Sequence, residues 1–140
     1  MIFQIITLNV FSGSFVYNKF EINMIPKQYR LKKRIAFSAT YRAKNSFHVS
    51  GITLFAGKLK KTESDITKAG FVVSKKVHKR AVKRNRLKRL MRESYRLLLK
   101  NGELGASQKY LSLVFVGGTN ALGMNFSQVK SSVKKLLEKV

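Results

Sequence analysis

Residues 74–100 form a basic run that predicts the binding of a polyanion. No other part of the chain predicts a chemistry as clearly from its residue types and spacing. The run contains twelve Lys or Arg residues and a single acid, Glu93. At about 100° per residue, one side of a helix over this run is largely apolar and the other is largely cationic. The first side consists of Leu87, Leu90, Met91, Ser94, Tyr95, Leu97 and Leu98. The second consists of Asn85, Arg86, Lys88, Arg89, Arg92, Glu93 and Arg96.

A helix with these two sides is predicted to dock by the apolar one and to present positive charge to a ligand. The apolar arc is wide enough to seat the helix on a sheet or on another helix. On the cationic side, like charges four residues apart, such as Lys88 and Arg92, destabilise an isolated helix by about 0.2–0.5 kcal/mol per pair. A solvated face is the ordinary interpretation of a charge run, but such faces usually mix the two signs. We therefore predict that binding of a polyanion offsets the repulsion.

The composition of the whole chain also predicts a polyanionic partner, and it argues against catalysis by the protein's own side chains. The 140 residues suit one domain with a real core, since 44% are apolar. The net charge of +23 implies nucleic acid or an anionic membrane surface as the partner. Without cysteine there is no disulfide, thiol catalysis or Cys-based zinc site. Two histidines and six acids leave little for a metal site or a carboxylate-based active site, so we predict no catalytic residue and no protein-bound metal.

Residues 1–23 differ in composition from the rest of the chain. They are apolar and aromatic, and the first basic residue is Lys19. A secretory signal requires positive charge ahead of its apolar run, and the run before Ser12 is too short to span a membrane. Because Met24 begins a basic stretch, we expect residues 1–23 to be an extension that originates from an upstream start codon and packs poorly. The alternative is a genuine extra strand. Residues 24–140 are predicted to form the single domain.

Periodicity and turn residues predict the elements that position the basic helix. Phe37 and Tyr41, four residues apart, share one face of a helix that follows a basic extended arm. The segment 110–116 is the strongest strand candidate and is predicted to be central, and Asn125 can cap a last helix. The resulting order, α-β-β-β-α-β-α, predicts an α+β fold, a two-layer sandwich like those of ribosomal proteins, with the basic helix on a central four-stranded sheet. The predicted bounds are helix 32–43, one strand or two within 46–60, strand 70–74, a helix from Lys79 or Ala81 to Leu99, strand 110–116 and a final helix from Asn125.

Two motifs then identify a family. A strand that ends in Ser74-Lys75-Lys76 is followed, after Ala81, by RNRLKRLMRE at positions 84–93. Upstream, Arg30-Leu31 precedes the helix with the two spaced aromatics. Together these motifs closely resemble the signature of the bacterial ribonuclease P protein component, over roughly residues 26–138. The connector at 77–80 carries more charge than the glycine-containing version of many members, and residues 1–23 have no counterpart.

The resemblance implies a function. The chain would be the protein subunit of the cytoplasmic ribonucleoprotein that removes the 5′ leader of precursor tRNA. The RNA subunit of that family carries the catalytic site and its Mg²⁺ ions. The protein would bind this RNA, in a ratio of one to one, and would hold the leader of precursor tRNA in a cleft.

The resemblance also assigns residues to the two binding roles. The residues expected to bind RNA are Arg30, Lys75, Lys76, Arg80, Arg84, Asn85, Arg86, Lys88, Arg89 and Arg92. The residues expected to line the leader-binding cleft are Phe37, Tyr41, Thr53 and Phe55.

Several of these assignments have alternatives. Asn85 could cap the helix instead of contacting RNA, and Lys75 and Lys76 could be simply solvated. Any one of the aromatics, considered alone, is more often a core residue than a stacking platform. Glu93 is expected to pair with Arg89 or Arg96 inside the helix. His48 and His78 are interpreted as ordinary surface or loop residues.

Three other functions compete with this reading. A ribosomal or other basic RNA-binding protein without a processing role would show the same charge. A DNA-binding helix-turn-helix protein needs two helices close in sequence, whereas strands flank the basic helix here, and a membrane-active basic helix is the related possibility. A standalone nuclease is opposed by the shortage of acids and histidines.

Overall fold

A computed structural model of the protein describes residues 25–140, and the expectation for residues 1–23 lies outside this range. The order of helices and strands is the predicted one. The elements are α1 (Arg34–Arg42), β1 (Asn45–Val49), β2 (Ile52–Ala56), β3 (Lys68–Val72), α2 (Ala81–Lys100), β4 (Ser112–Gly117) and α3 (Phe126–Lys139), with short 3₁₀ turns at Lys27–Tyr29, Gly105–Lys109 and Thr119–Ala121.

The four strands form one mixed sheet in the order β1-β2-β4-β3. The β1–β2 and β2–β4 pairs are antiparallel, and β3 and β4 are parallel with α2 as the crossover between them. The segment 46–60 forms two strands, because Ser50 and Gly51 both adopt positive φ (49° and 89°) and close a two-residue hairpin turn. β4 is an interior strand, as predicted.

Some predicted boundaries are wrong by two residues. α1 begins at Arg34 instead of residue 32, and β3 begins at Lys68 instead of Gly70. β4 begins at Ser112, since Tyr110 forms only an isolated bridge with Leu59. Both strand corrections have one cause, the parallel register that pairs Lys68 with Ser112.

One face of the sheet carries the hydrophobic core. In the register, Leu54 and Phe115 lie opposite each other on this face, and both are fully buried. Phe71, Tyr95 and Phe115 form an aromatic cluster whose ring centroids are 5.4–5.9 Å apart. Glycine at position 117 allows α2 to pack closely on β4, since a Cβ there would lie 2.6 Å from the side chain of Leu87 and would require it to shift. The helical residues that complete the core are Leu87, Met91, Tyr95 and Leu98 of α2 and Val129, Val133, Leu136 and Leu137 of α3.

Among residues 25–140, the opposite face of the sheet is covered only at one end, by α1. Thr40 of α1 is hydrogen-bonded through Oγ1 to Ser112 Oγ (2.5 Å) at the start of β4. A Cβ at position 70 would lie 2.6 Å from two ring carbons of Phe37, so the Phe37 ring rests directly on the β3 backbone at Gly70. Beyond α1, the side chains on this face are half-buried or exposed. We call this uncovered part, with the side of α1 that borders it, the open sheet face.

The capping residues predicted from the sequence lie at the end of α2 and at the start of α3. Gly102, with φ of 70°, terminates α2 after Lys100. At α3 the Asn125 side chain accepts a hydrogen bond from the Gln128 backbone N–H, and the Gln128 side chain accepts one from the Asn125 N–H, each at 2.9 Å. This reciprocal pair is a capping box. The first signal thus ends α2, and the second begins α3.

Candidate RNA-binding surface

The basic helix α2 docks by the side that the sequence predicts. Leu87, Met91, Tyr95 and Leu98 are fully buried, and Ser94 is buried with its hydroxyl donating to the Leu90 carbonyl (2.8 Å). Burial raises the pKa of Tyr95 to about 12. The apolar side is therefore committed to the core, and only the cationic side remains for a ligand.

Arg96 does not belong to the outward cationic side, and the prediction that placed it there is wrong. Its exposed fraction is 7%. Its Nε donates to Glu93 Oε2 (3.0 Å) and its Nη2 donates to Glu93 Oε1 (2.5 Å), which makes a two-pronged ion pair. This decides between the two partners expected for Glu93 in favour of Arg96. A paired, buried guanidinium has no free charge to offer RNA.

Two of the predicted RNA-binding arginines also hold the fold together. Arg84 Nη1 donates to the carbonyls of His78 and Lys79, each at 2.8 Å, and so ties the first turn of α2 to the connector. Arg86 donates to the carbonyls of Leu122 (3.3 Å) and Met124 (3.2 Å), in the segment before α3. Their remaining N–H groups can still reach an anion, but both guanidinium groups are already oriented by the protein.

His78 helps to shape the same connector. Its Nδ1 accepts a hydrogen bond from the backbone N–H of Arg80 (3.0 Å), the residue that immediately precedes α2. No sequence pattern predicted this role, because a lone histidine in a basic run has no distinguishing feature. The contact fixes the chain direction at the point where α2 begins.

Among the arginines of α2, Arg89 and Arg92 are the two whose guanidinium groups the protein does not hold. Within residues 25–140, no hydrogen bond or ion pair involves either side chain, and both residues are exposed. Burial, and after it the positive charges of Arg89 and Arg30, lower the pKa of Arg92. Arg30 is held near β3 by a backbone bridge to Ala69 and by donation from its Nε to the Ile25 carbonyl (2.6 Å). The arm and the helix thus bring three positive groups together, and no acid of residues 25–140 forms an ion pair with any of them.

The other predicted RNA-binding residues lie around the start of α2. Lys75, Lys76 and Arg80 are exposed in the connector, and Lys88 is half-buried on the helix. Asn85 is exposed and is the fifth residue of α2, whose N-cap is Arg80. The capping role considered for Asn85 is therefore wrong, and RNA contact remains a prediction. We call the set Arg30, Lys75, Lys76, Arg80, Arg84, Asn85, Arg86, Lys88, Arg89 and Arg92 the basic surface.

The predicted cleft residues meet on the open sheet face. The rings of Tyr41 and Phe55 make an edge-to-face contact with centroids 5.0 Å apart. Thr53 lies two residues before Phe55 on β2 and faces the same side. Burial raises the pKa of Tyr41, although 38% of the residue remains exposed. Phe37 is packed against β3 and is half-buried, as are Phe55 and Thr53, whereas Tyr41 is exposed.

Neither a metal site nor a membrane span is found in this part of the chain. Between residues 25 and 140 no three His, Asp or Glu side chains are grouped closely enough to hold a metal ion. None of the helices in the described range is long and apolar enough to cross a membrane.

Comparison with known proteins decides the family. The profile of the Ribonuclease P family matches residues 25–140. The chain belongs to the ribonuclease P protein family. The ribonuclease P protein component of Clostridium kluyveri is 35% identical over 79% of this chain and 93% of its own length. That of a Synechococcus strain is 35% identical over 83% of this chain and 84% of its own.

Solved structures agree with this assignment. The ribonuclease P protein of Staphylococcus aureus superposes with a TM-score of 0.64 at 26% identity, and the match covers 79% of this chain and 94% of that one. The protein from Thermotoga maritima has the same fold, with a TM-score of 0.65 at 23% identity over 79% of this chain and 96% of that one.

Family membership confirms the main functional prediction over the alternative of a basic RNA-binding protein without a processing role. As a ribonuclease P protein component, the chain is part of an endoribonuclease complex in tRNA processing, and its general partner is ribonuclease P RNA.

Proposed function

We propose that the basic surface binds the catalytic ribonuclease P RNA and that the open sheet face holds the 5′ leader of precursor tRNA. One protein would bind one RNA, in the cytoplasm. The observation that carries the proposal is the placement of two chemically different surfaces on one rigid sheet. One surface consists of unneutralised guanidinium and ammonium groups, and the other consists of aromatic, hydroxyl and aliphatic groups beside α1.

The basic surface is suited to folded RNA. Arginine presents a planar fork that can contact a phosphate through two N–H groups, which lysine cannot do. Arg84 and Arg86 are oriented in advance by backbone carbonyls, so less side-chain freedom is lost when they bind. The uncompensated charge of Arg30, Arg89 and Arg92 favours a site where several phosphates converge. Asn85 adds an amide that can both donate and accept.

The open sheet face is suited to unpaired nucleotides. Single-stranded RNA is usually held by bases that stack on aromatic rings, at about 1–3 kcal/mol per base. Tyr41 and Phe55 offer such rings, and their edge-to-face contact holds both in place. Thr53 adds a hydroxyl on the same side. A paired stem would not offer free base faces to these rings, so this surface would select the leader over the folded body of a tRNA.

The catalytic site and its Mg²⁺ ions are proposed to belong to the RNA subunit. The whole sequence has six acids, and two of them, Glu93 and Glu103, form ion pairs with Arg96 and Lys134. Two-metal phosphodiester chemistry needs several convergent carboxylates or phosphates, and the RNA can supply phosphates. The protein would assist by neutralising phosphate repulsion, which lowers the Mg²⁺ concentration that the complex needs.

Reconstitution tests the proposal. The purified protein is added to bacterial ribonuclease P RNA, and leader removal from precursor tRNA is measured at limiting Mg²⁺. We expect a large increase in cleavage rate at low Mg²⁺ and a smaller one at saturating Mg²⁺. An unrelated globular protein of similar net charge is the matched control. Equal stimulation by that control, or none by this protein, would contradict the proposal.

A further inference from the structure

His48 lies on the open sheet face, although the sequence suggested only an ordinary surface residue. The β1–β2 register places His48 directly opposite Thr53, and residues opposite each other in a register share a face. Thr53 in turn pairs with Val116, and Val116 with Val72. These four residues form one row across the sheet, from the outer strand β1 to the outer strand β3. We call it the edge row.

The edge row is the part of the sheet that α1 leaves uncovered. The neighbouring row contains Phe55 and Gly70, which lie beneath Tyr41 and Phe37 of α1. In the edge row, Thr53, Val72 and Val116 are half-buried and His48 is exposed. Since Thr53 is two residues from Phe55 on β2, the row lies about 7 Å from the aromatic pair along the strand. A nucleotide strand in the cleft could therefore contact both rows.

The His48 ring is held in one orientation by the protein. Its Nδ1 is hydrogen-bonded to Thr53 Oγ1 at 3.0 Å. Among residues 25–140 no hydrogen-bond partner occupies the other ring nitrogen, Nε2. An oriented imidazole offers a flat face for stacking and a free polar atom for a base edge, and histidine is one of the side chains on which RNA bases stack.

A cation reaches the backbone of His48 from the other side of the sheet. Lys139, near the end of α3, donates from Nζ to the His48 carbonyl (3.1 Å) and remains exposed. Its ammonium group therefore lies at the β1 edge, where a phosphate linked to a base on His48 could meet it. No acid pairs with Lys139 in the described part of the chain.

We propose that His48, oriented by Thr53 and flanked by Lys139, forms a second leader subsite, separate from the Tyr41–Phe55 pair. His48 takes one leader base and Lys139 its phosphate. The inference rests on the proposed binding of the leader to the open sheet face, and it adds a specific nucleotide contact at the β1 edge.

The test uses the reconstituted holoenzyme and precursor tRNAs whose leaders differ by one nucleotide at a time. The affinity of the wild-type holoenzyme for precursor tRNA should rise in steps as the leader becomes long enough to reach each subsite. His48→Ala should remove one step, with about fivefold or greater loss, and leave mature tRNA unchanged. That step should differ from the one lost in Tyr41→Ala. His48→Phe, which keeps a flat ring, should retain most of the step, and Thr53→Val should lose part of it.

Asn45→Ala is the matched control, because Asn45 is also exposed on β1 but faces the opposite side of the strand. It should leave every step intact. The inference fails if His48→Ala keeps all the steps, if it weakens mature tRNA equally, or if it loses the same step as Tyr41→Ala. If the wild-type complex shows no dependence on leader length, the proposed leader binding itself fails. The two failures are thus distinguishable.

Discussion

The basic surface and the open sheet face are suited to different interactions with RNA, electrostatic attraction and base stacking, although one small sheet supports both. The basic surface surrounds α2 and includes three positive groups, Arg30, Arg89 and Arg92, that form no ion pair within residues 25–140. The open sheet face offers the aromatic rings of Tyr41 and Phe55. Charge acts over about 8–10 Å and weakens with salt, whereas stacking needs contact and an unpaired base. The contrast implies that overall affinity and leader discrimination are separable properties.

The largest effect is expected when positive charge is removed from α2. The double variant Arg89→Ala, Arg92→Ala should weaken binding to ribonuclease P RNA by about 3 kcal/mol or more, since each charge-assisted hydrogen bond contributes about 1.5–3 kcal/mol. The slope of log affinity against log salt should fall by about 1.4–1.8 for two lost phosphate contacts. Binding titrations at several salt concentrations measure both quantities.

The control for this variant removes the same charge elsewhere. Lys61, before β3, and Lys135 on α3 are both exposed and form no ion pair within residues 25–140, so Lys61→Ala, Lys135→Ala lowers the net charge equally. If this control reduces affinity and salt slope as much as the arginine variant, RNA binding reflects net charge alone, and the basic surface has no special role.

The buried side of α2 gives a second prediction, which concerns stability. Because the pKa of Tyr95 in the folded protein is about 12 and the ordinary value is about 10, the stability due to its burial is fully present below pH 10 and is lost as pH rises to 12. The loss is on the order of 2 kcal/mol. Tyr95→Phe should lack this component, and denaturant unfolding of both proteins between pH 7 and 12 measures it. An identical alkaline loss in the two proteins would mean that Tyr95 is not buried against the core.

The open sheet face gives a third prediction, in which leader discrimination changes and the salt slope does not. Tyr41→Ala should weaken binding of precursor tRNA by about 1 kcal/mol or more, as expected for one lost stack, and should leave mature tRNA and the salt slope unchanged. Tyr41→Phe keeps the ring and should behave as wild type. Competition binding between precursor and mature tRNA measures the ratio. Equal losses for both substrates would show that Tyr41 only packs against Phe55.

A smaller effect, on the free energy of unfolding, distinguishes arginines that are hydrogen-bonded within the protein from those that are not. Arg86→Ala removes donors to the Leu122 and Met124 carbonyls and should lower the free energy of unfolding by about 0.5–1 kcal/mol. Arg89→Ala should change it by less than about 0.5 kcal/mol. Denaturant titration of the two variants makes the comparison. Equal destabilisation would contradict the distinction between oriented and free guanidinium groups.

The sequence predicted the docking of α2 because helical period is a local property. Leu87, Met91 and Tyr95 are spaced so that no alternative orientation buries them all. The same reasoning misplaced Arg96, since the angle of a residue on a helix does not reveal whether neighbouring groups cover it. Its burial depends on the ion pair with Glu93 and on the surrounding packing, which no periodicity expresses.

Long-range contacts account for the rest of what the sequence missed. The acceptors of Arg86 lie 36 and 38 residues away, and nothing in a local pattern links them. His48 could not be placed beside Thr53 until the turn at Ser50 and Gly51 fixed the hairpin register. The aromatic spacing of α1 was visible in advance, whereas the contact between Phe37 and Gly70 required the position of α1 over β3.

The separation of the two surfaces is tested most directly by one set of titrations on wild type, Tyr41→Ala and Arg89→Ala, Arg92→Ala. It gives the salt slope of protein binding to ribonuclease P RNA, and the precursor-to-mature tRNA affinity ratio of holoenzyme assembled at saturating protein. The predicted result is that the arginine variant loses affinity and salt slope for ribonuclease P RNA but keeps the precursor-to-mature ratio. Tyr41→Ala should lose the ratio and keep the slope. If either variant changed both the ratio and the slope, the two surfaces would not act separately and the division of roles would be contradicted.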